Sequence, residues 1–350
     1  MSGTSLDGLD ISCCNFWKEN GKWNFEIEKA ETIAYSEKWK NLLGKAKELS
    51  GLELAILDVD LGKWMGQQVR DFNQSLIKSA DFIASHGHTV FHQPDRGLTM
   101  QIGSASHLSV ASGLPIISDF RSLDVANGGQ GAPLVPVGDQ LLFGNYDFCL
   151  NLGGIANVST ILNEKRIAFD LAPCNMGMNY VCTWLGKLYD ENGAIAKSGK
   201  LISALFEELN NLAFYSQPYP KSLGSEWFNQ QILPLILNYR DKPSDVLHTL
   251  VHHGAFQIAK GILELNPAGG IVLVTGGGTY NKFLIEVLQA NLGGKFTIDI
   301  PTTQIVDFKE ALIFAFLGLL RAENQVNTFR SVTGANSDCS SGQICGNLPY

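Results

Sequence analysis

The spacing of apolar residues divides the chain into alternating strand and helix segments. Short apolar runs bounded by turn residues predict buried strands at residues 10–16, 23–30, 82–84, 115–118, 148–152, 158–162 and 271–274. Helical spacing predicts helices at residues 37–77, 176–188, 201–212 and 282–292. Because strands alternate with helices, the sequence favours a mainly parallel sheet that is covered on both faces.

The same alternation of predicted strands and helices occurs twice along the chain, which indicates two domains. The second region begins near Val135, and a length of 350 residues fits about two domains. No obvious linker separates the two regions, so we expect two lobes in close contact with a cleft between them. Residues 331–350 are rich in Ser, Gly, Asn and Cys, and we expect them to form loop or a loose closing strand.

Composition and charge narrow the class of protein. A hydrophobic fraction of 45% with 17% charged residues is typical of a globular chain. A net charge of -8 argues against a nucleic-acid partner, because a phosphate backbone requires a basic surface. The chain shows no leader of signal-peptide type at Met1, and its apolar run at 311–320 is far shorter than the roughly 20 residues of a membrane-spanning helix.

The seven cysteines are odd in number and contain no CxxC pair, which fits a reduced chain without a zinc site. We therefore expect a cytoplasmic protein that contacts neither membrane nor nucleic acid.

Three glycine-rich turns, each at the end of a predicted strand or between two, carry the main chemical signal. They span residues 2–8 (SGTSLDG), 151–157 (NLGGIAN) and 275–281 (TGGGTYN). Glycine lets the backbone approach a phosphate closely, and the exposed N–H and hydroxyl groups donate to its oxygens. Asp7 adds a carboxylate suited to a magnesium ion held through water.

Each turn alone is more often a plain turn, but the three together predict nucleotide binding. Other nucleotide motifs are absent from the sequence: GxxxxGK[ST], GxGxxG and the HRD and DFG motifs of protein kinases.

Two polar clusters follow predicted strands. Residues 85–92 contain His86, His88 and His92, which could hydrogen-bond a polar ligand, serve as core or turn histidines, or bind a metal. Arg121 lies between Asp119 and Asp124 just after a strand, where open α/β sheets bind ligands; a surface salt bridge is the plainer alternative.

Two single carboxylates are further candidates. Asp170 ends an apolar run, so it could act as a general base, or it could cap a helix that begins near Asn175. Glu310 precedes an apolar helix, where it could charge the helix start or bind a ligand hydroxyl.

Taken in order, ten segments resemble the anhydro-N-acetylmuramic acid kinases, a bacterial family of the actin, hexokinase and chaperone ATPase superfamily. The segments are MSGTSLDG (1–8), HGHTVFHQP (86–94), QIG (101–103), DFRSLDVANGGQGAPLVP (119–136), NLGGIAN (151–157), FDLAPCN (169–175), PKSLGSEWFN (220–229), TGGGTYN (275–281), EALIFAFL (310–317) and VTGA (332–335). They extend over nearly the whole chain, and the GGQGAPLVP block is quite specific.

The resemblance implies an α/β fold with two actin-like (ribonuclease-H-like) lobes and an ATP cleft between them. Lobe I would comprise residues 1–134 with about 330–350, and lobe II residues 135–329. The implied activity opens the 1,6-anhydro bridge of anhydro-N-acetylmuramic acid with water and transfers the γ-phosphate of ATP to the freed 6-oxygen. ATP, Mg²⁺ and the amino sugar are the implied ligands, and a homodimer is an open expectation.

The resemblance also assigns roles to residues. Asp170 aligns with the catalytic aspartate, which takes a proton from the attacking water. The implied ATP-binding residues are Gly3, Thr4, Ser5, Asp7, Gly8, Gly153, Gly154 and Asn157 for the phosphates, and Gly276, Gly277, Gly278 and Asn281 for the adenosine side. The implied sugar-binding residues are His86, Thr89, His92, Arg121, Asp124, Gln130, Asn175 and Glu310.

The chain departs from the family pattern at several positions. Relatives usually carry a short strand before the first glycine turn, whereas this sequence starts at the Met of that motif. Either the start is misassigned or shortened, or the strand is missing, and its absence would leave the edge of that sheet poorly supported. The usual DTGPGN is DLAPCN at 170–175, and Asn179 and Ser225 replace an Asp and an Arg. A kinase for another amino sugar, an ATP-dependent switch and an inactive relative remain alternatives.

Overall fold

A computed structural model describes residues 1–3, 6–76 and 78–349, and the chain divides into two compact units. Unit 1 comprises Met1–Leu142 and Phe308–Tyr350, and unit 2 comprises Phe143–Asp307. The predicted α/β class is confirmed, since strands and helices alternate along most of the chain.

The strands, numbered in chain order, are β1 (Gly8–Glu19), β2 (Lys22–Ala34), β3 (Ile83–Ser85), β4 (His88–Gln93), β5 (Leu98–Ile102), β6 (Ile116–Ser118), β7 (Phe148–Leu152), β8 (Ile155–Leu162), β9 (Lys165–Pro173), β10 (Gly270–Thr275), β11 (Phe296–Asp299) and β12 (Gln343–Cys345). The α-helices are α1 (Glu37–Gly44), α2 (Gly51–Gln74), α3 (Ala105–Ser112), α4 (Ser122–Ala126), α5 (Pro136–Leu141), α6 (Asn175–Thr183), α7 (Ala194–Ser198), α8 (Ser203–Asn210), α9 (Ser225–Trp227), α10 (Leu233–Leu237), α11 (Pro243–Leu265), α12 (Lys282–Leu292), α13 (Thr303–Ala322) and α14 (Arg330–Thr333). Short 3₁₀ segments lie at Ala46–Glu48, Pro94–Arg96, Glu191–Gly193, Ala213–Ser216 and Gly277–Tyr280, and a π-helical segment at Phe228–Ile232.

The long helix predicted at 37–77 is interrupted, and its interruption follows from capping. The Oγ of Ser50 accepts the N–H of Glu53 over 3.3 Å, while the Glu53 carboxylate accepts the N–H of Ser50 over 2.9 Å. This reciprocal pair starts a new helix, so α1 and α2 are separate elements.

Unit 1 holds its strands in separate pieces. β1 and β2 form a long antiparallel hairpin whose turn residues, Asn20 and Gly21, have φ of 51° and 77° as a type I′ turn requires. β4 pairs antiparallel with β5, and β12, β6 and β3 form a three-stranded sheet in which β3 and β6 are parallel. Residues 343–345 are thus the loose closing strand expected near the C-terminus.

A cavity of about 350 Å³ lies in unit 1 between the outer edges of β1 and β3. Among the described residues, β1 pairs along its length only with β2, and β3 pairs only with β6. At one end of the cavity, Ser2 bridges antiparallel to Leu9 and parallel to His88. There the ammonium group of Met1 donates to the carbonyl of Asp10 over 2.7 Å. Residues 1 and 2 therefore lie between the edge of β1 and the segment that continues β3 into β4.

Unit 2 is built on one five-stranded sheet with the order β11-β10-β7-β8-β9. β7, β10 and β11 are parallel, whereas β7, β8 and β9 form an antiparallel meander. The prediction of a mainly parallel sheet was therefore wrong, because tight hairpin turns at 153–154 and 163–164 replace helical crossovers. A large core cluster, which includes α11, α12 and the buried sheet residues, lies against this sheet.

Among the residues the structure describes, no helix combines the length and apolar character needed to cross a bilayer.

Candidate active site

A row of polar residues crosses the sheet of unit 2 at one level. Thr275 in β10 lies opposite Asn151 in β7, which lies opposite Asn157 in β8. Asn157 in turn lies opposite Asp170 in β9. Directly opposed residues of neighbouring strands project from the same face, with strands about 4.8 Å apart. The row thus aligns Asp170 with the ends of two of the glycine turns.

Those two glycine turns lie against one another. A Cβ on Gly276, which has φ +85°, would lie 2.5 Å from Oδ1 of Asn151. A Cβ on Gly278 would lie 2.6 Å from Cβ of Leu152. Both glycines are therefore required by this close backbone approach.

The start of α6 is fixed on the hairpin turn. The N–H of Asn175 donates to the carbonyl of Gly153 over 3.1 Å, and its side-chain amide donates to the carbonyl of Leu152 over 3.0 Å. The N–H of Met176 donates to the carbonyl of Gly154 over 3.1 Å. The first turn of this helix therefore holds the glycine turn in place.

Asn281 also has a structural bond, since its Oδ1 accepts the N–H of Leu284 over 2.9 Å and caps α12.

Asp170 is half-buried in β9, and its carboxylate Oδ2 accepts the N–H of Leu223 over 2.7 Å. Burial raises the pKa of this carboxyl above its ordinary value, and the Leu223 N–H partly offsets the shift. The helix-cap interpretation was wrong: the N-cap position of α6 is Cys174, which makes no side-chain cap bond. Asp170 is therefore a strand residue with a raised carboxyl pKa, and it does not cap a helix.

In unit 1, the half-buried Arg121 pairs with the buried His86. Nε of Arg121 donates to Nε2 of His86 over 2.9 Å, and Nη1 of Arg121 donates to the carbonyl of Gly131 over 2.6 Å. Burial, and then the nearby Arg121 charge, lower the pKa of His86 to about 3. Burial lowers the pKa of Arg121 to about 10, and the charge of Glu310 opposes that shift. The surface salt-bridge alternative was wrong for Arg121, because among the described residues its guanidinium donates to a neutral ring and a carbonyl.

Asp124 shapes the turn at residues 127–133 from inside. It is fully buried, and its oxygens accept the N–H of Gly131 and the hydroxyl of Thr333, both over 2.7 Å. A Cβ on Gly129 would overlap this carboxylate. With one bond on each oxygen, Asp124 holds the turn, and its assignment to sugar binding stays a prediction.

Glu310 lies within α13, about two turns after the helix begins at Thr303. The interpretation that it marks the helix start was therefore wrong, because the polar residues before it are already helical. Desolvation by the surrounding protein raises the pKa of the Glu310 carboxyl, and the charges of Arg121 and Lys309 oppose that shift.

Other predicted residues of unit 1 are more open. Asp7, His92 and Gln130 are exposed, and Thr89 is half-buried. His92 Nδ1 contacts Oγ1 of Thr99 at 3.1 Å. Thr4 and Ser5 lie outside the described residues.

Two glycines of the first turn are described. Gly3 is half-buried, and its carbonyl accepts the N–H of Leu6 over 3.4 Å. A Cβ on Gly8 would lie 2.7 Å from the carbonyl oxygen of Ile33, so the close β1–β2 pairing requires glycine there.

In the part of the chain that the structure describes, the three histidines form no group of three His, Cys, Asp or Glu side chains that could hold a metal ion. His88 is buried, with Nδ1 3.0 Å from Oγ of Ser2, so it is a core histidine as one alternative held.

Sequence reasoning missed the loop at residues 217–224, which contacts Asp170. Its signal was present only as part of the PKSLGSEWFN segment, whose chemistry is carried by backbone groups.

The sequence is similar to known proteins along nearly its whole length. The profile of the anhydro-N-acetylmuramic acid kinase family matches residues 1–347. The anhydro-N-acetylmuramic acid kinase of Hydrogenovibrio crunogenus is 32% identical over 360 residues, covering 98% of this chain and 96% of that protein. Those of Sulfurovum sp. and Francisella tularensis subsp. novicida are 33% and 34% identical, each covering 98% of this chain and 97% of the relative.

Proposed function

Because the chain belongs to the anhydro-N-acetylmuramic acid kinase family, we propose that it opens the 1,6-anhydro ring of anhydro-N-acetylmuramic acid with water and phosphorylates the freed 6-oxygen from ATP. The product is N-acetylmuramic acid 6-phosphate, which returns cell-wall sugar to cytoplasmic metabolism. The observation that carries the proposal is the half-buried carboxylate of Asp170, aligned with the glycine turns.

Asp170 is the general base of this reaction. It takes one proton from water while the water oxygen bonds to the anomeric carbon and the bond from that carbon to the 6-oxygen breaks. The electron pair of the broken bond goes to the 6-oxygen, which bonds to the γ-phosphorus as ADP leaves. A raised pKa makes Asp170 a stronger base than an exposed aspartate, and it remains largely ionised only above that pKa.

The glycine turns supply the nucleotide contacts. Gly153 and Gly154 offer a turn that Asn175 and Met176 hold in place, and Gly276–Gly278 approach it closely enough to exclude a side chain. We assign the phosphates to the first turn and the adenosine side to the second. Asp7, an exposed carboxylate, fits the oxygen-ligand preference of Mg²⁺, which when bound would neutralise phosphate charge.

The polar residues of unit 1 bind the sugar. Arg121 keeps a positive charge beside a neutral His86, which suits the carboxylate of a muramic acid. Gln130, which is exposed, and Glu310 are assigned to hydroxyl or amide groups of the same sugar.

The assay that tests the proposal follows ADP release that depends on anhydro-N-acetylmuramic acid. Asp170→Asn keeps the shape but removes the base, so turnover should fall by a factor on the order of 10² to 10⁴. Asp241→Asn, at an exposed position far along the chain, is the matched control and should leave turnover unchanged. Near-normal turnover of Asp170→Asn would remove Asp170 from the mechanism.

A further inference from the structure

The loop of residues 217–224 covers the edge of β9 at Asp170. β9 is the last strand of its sheet, so its outer edge requires other partners. The N–H of Asp170 donates to the carbonyl of Lys221 over 3.0 Å, and the N–H of Leu223 donates back to Oδ2 of Asp170 over 2.7 Å. The loop therefore holds both the backbone and the carboxylate of the same residue.

The loop is itself anchored on both sides of this contact. Nζ of Lys221 donates to the carbonyl of Phe214 over 3.2 Å and lies 4.6 Å from the centre of its ring. Leu223 packs on the small core cluster of Phe214 and Tyr215. On the other side, the ring of Tyr219 stacks on Phe169 with centroids 5.3 Å apart. These contacts fix where the Leu223 N–H points.

The strand is also irregular at this point. Ala156 pairs with Ala172, but Asn157 pairs with Asp170, so Leu171 forms a bulge between the two pairs. A bulge bends its strand and changes the direction of neighbouring side chains. The bulge and the loop thus act on the same side chain from two directions.

We propose that Leu223 is a positioning residue, whose backbone N–H fixes Oδ2 of Asp170 so that Oδ1 is presented to the water it deprotonates. This inference rests on the proposed function. A hydrogen bond to a carboxylate favours its charged form, so the same N–H limits the rise in pKa that burial imposes. Of the charged residues on and beside the loop, Lys221 is directed to Phe214, and the carboxylate of Glu226 lies beside Gly224.

A pair of substitutions at one position separates the N–H from the side chain. Leu223→Pro removes the donor, whereas Leu223→Ala keeps it and removes only the packing. We expect kcat of Leu223→Pro to fall about ten- to a hundredfold, the scale of one hydrogen bond to a charged group, with little change in KM. The acid limb of its kcat/KM profile should move to higher pH, while that of Leu223→Ala should stay in place. Equal profiles for the two variants would overturn the proposal.

A measurement on the wild-type chain does not depend on how the proline variant folds. The amide proton shift of Leu223 should titrate with the carboxyl of Asp170, and this titration should vanish in Asp170→Ala. An amide shift that is flat across the acid range would overturn the proposal even if the enzyme is active.

The two measurements also distinguish this inference from the proposed function. If the amide titrates but the wild-type chain yields no phosphorylated sugar, the proposed function fails while the contact stands. If the wild-type chain is active and Leu223→Pro matches it, only the positioning role fails.

Discussion

Nε of Arg121 donates a hydrogen bond to Nε2 of His86 over 2.9 Å, which fixes the protonation of the imidazole. A guanidinium can only donate, so Nε2 must be the unprotonated nitrogen. Nδ1 lies 3.0 Å from the carbonyl of Gly87 and carries the proton. The ring is therefore neutral, in agreement with a pKa that burial and the Arg121 charge lower to about 3.

We expect the stability of the protein to fall as the pH falls from about 6.5 towards 3. His253 is buried like His86, and burial lowers its pKa to about 3. The unfolded chain binds a proton at each histidine near pH 6.5, whereas the folded chain does not, so stability rises with pH in this window. Each histidine should lower the free energy of unfolding at pH 5 by about 2 kcal/mol relative to pH 7. Urea unfolding at the two pH values measures this difference.

The matched variants for this measurement are His86→Asn and His253→Asn. Each should reduce the change between pH 7 and pH 5 by about 2 kcal/mol, whatever it does to stability at pH 7. A pH dependence that neither substitution alters would show that these rings are not held neutral.

Two neighbouring glycines should respond differently to alanine. Gly276→Ala places a Cβ 2.5 Å from Oδ1 of Asn151, at a residue with φ +85°. We therefore expect the free energy of unfolding to fall by about 1–3 kcal/mol. Gly277→Ala meets only Nδ2 of Asn175, at 3.7 Å, which is ordinary contact, and should be tolerated. Chemical unfolding of both variants checks the contrast. Equal losses would mean that the two turns do not approach as described.

The cavity between β1 and β3 should accept an added strand. Extending the protein by six residues of alternating apolar pattern before Met1 would continue the antiparallel bridge at Leu9 and the parallel bridge at His88. The added backbone would form hydrogen bonds with the strand edges on both sides. We expect the free energy of unfolding to rise by about 1–2 kcal/mol, which corresponds to a rise in Tm of several degrees.

Hydrogen exchange of residues 11–16 and 83–85 reports where the extension binds, because pairing should protect those amides. The control is an extension of equal length with proline at alternate positions, which cannot form a ladder. A proline-containing extension that stabilises the protein equally would argue against strand addition.

Local signals in the sequence predicted individual elements well. The helix at 282–292 and the strand at 148–152 have the predicted bounds, since an N-cap Asn281 and a buried apolar run determine them locally. The meander β7–β8–β9 was not predicted. Its second turn uses Asn163 and Glu164 at φ of 49° and 64°, and glutamate gives no turn signal.

The site was predicted by residue type more readily than by contact. Asp170, Arg121 and the glycine turns stand out as chemistry placed at strand ends. Asp124 accepts hydrogen bonds from the Gly131 N–H and the Thr333 hydroxyl. Thr333 lies 209 positions further along the chain, so no local pattern in the sequence could predict this contact. The roles assigned to the ATP and sugar residues stay predictions.

Mass spectrometry of the product most directly tests the central claim that Asp170 activates water for ring opening coupled to phosphoryl transfer. The protein is incubated with ATP, Mg²⁺ and anhydro-N-acetylmuramic acid in water enriched in heavy oxygen. We expect a product heavier than the sugar by one phosphate group and one water, with the label at the anomeric carbon, formed more slowly by Asp170→Asn by a factor on the order of 10² to 10⁴. A phosphorylated sugar that retains the anhydro ring, or an unlabelled product, would contradict the account.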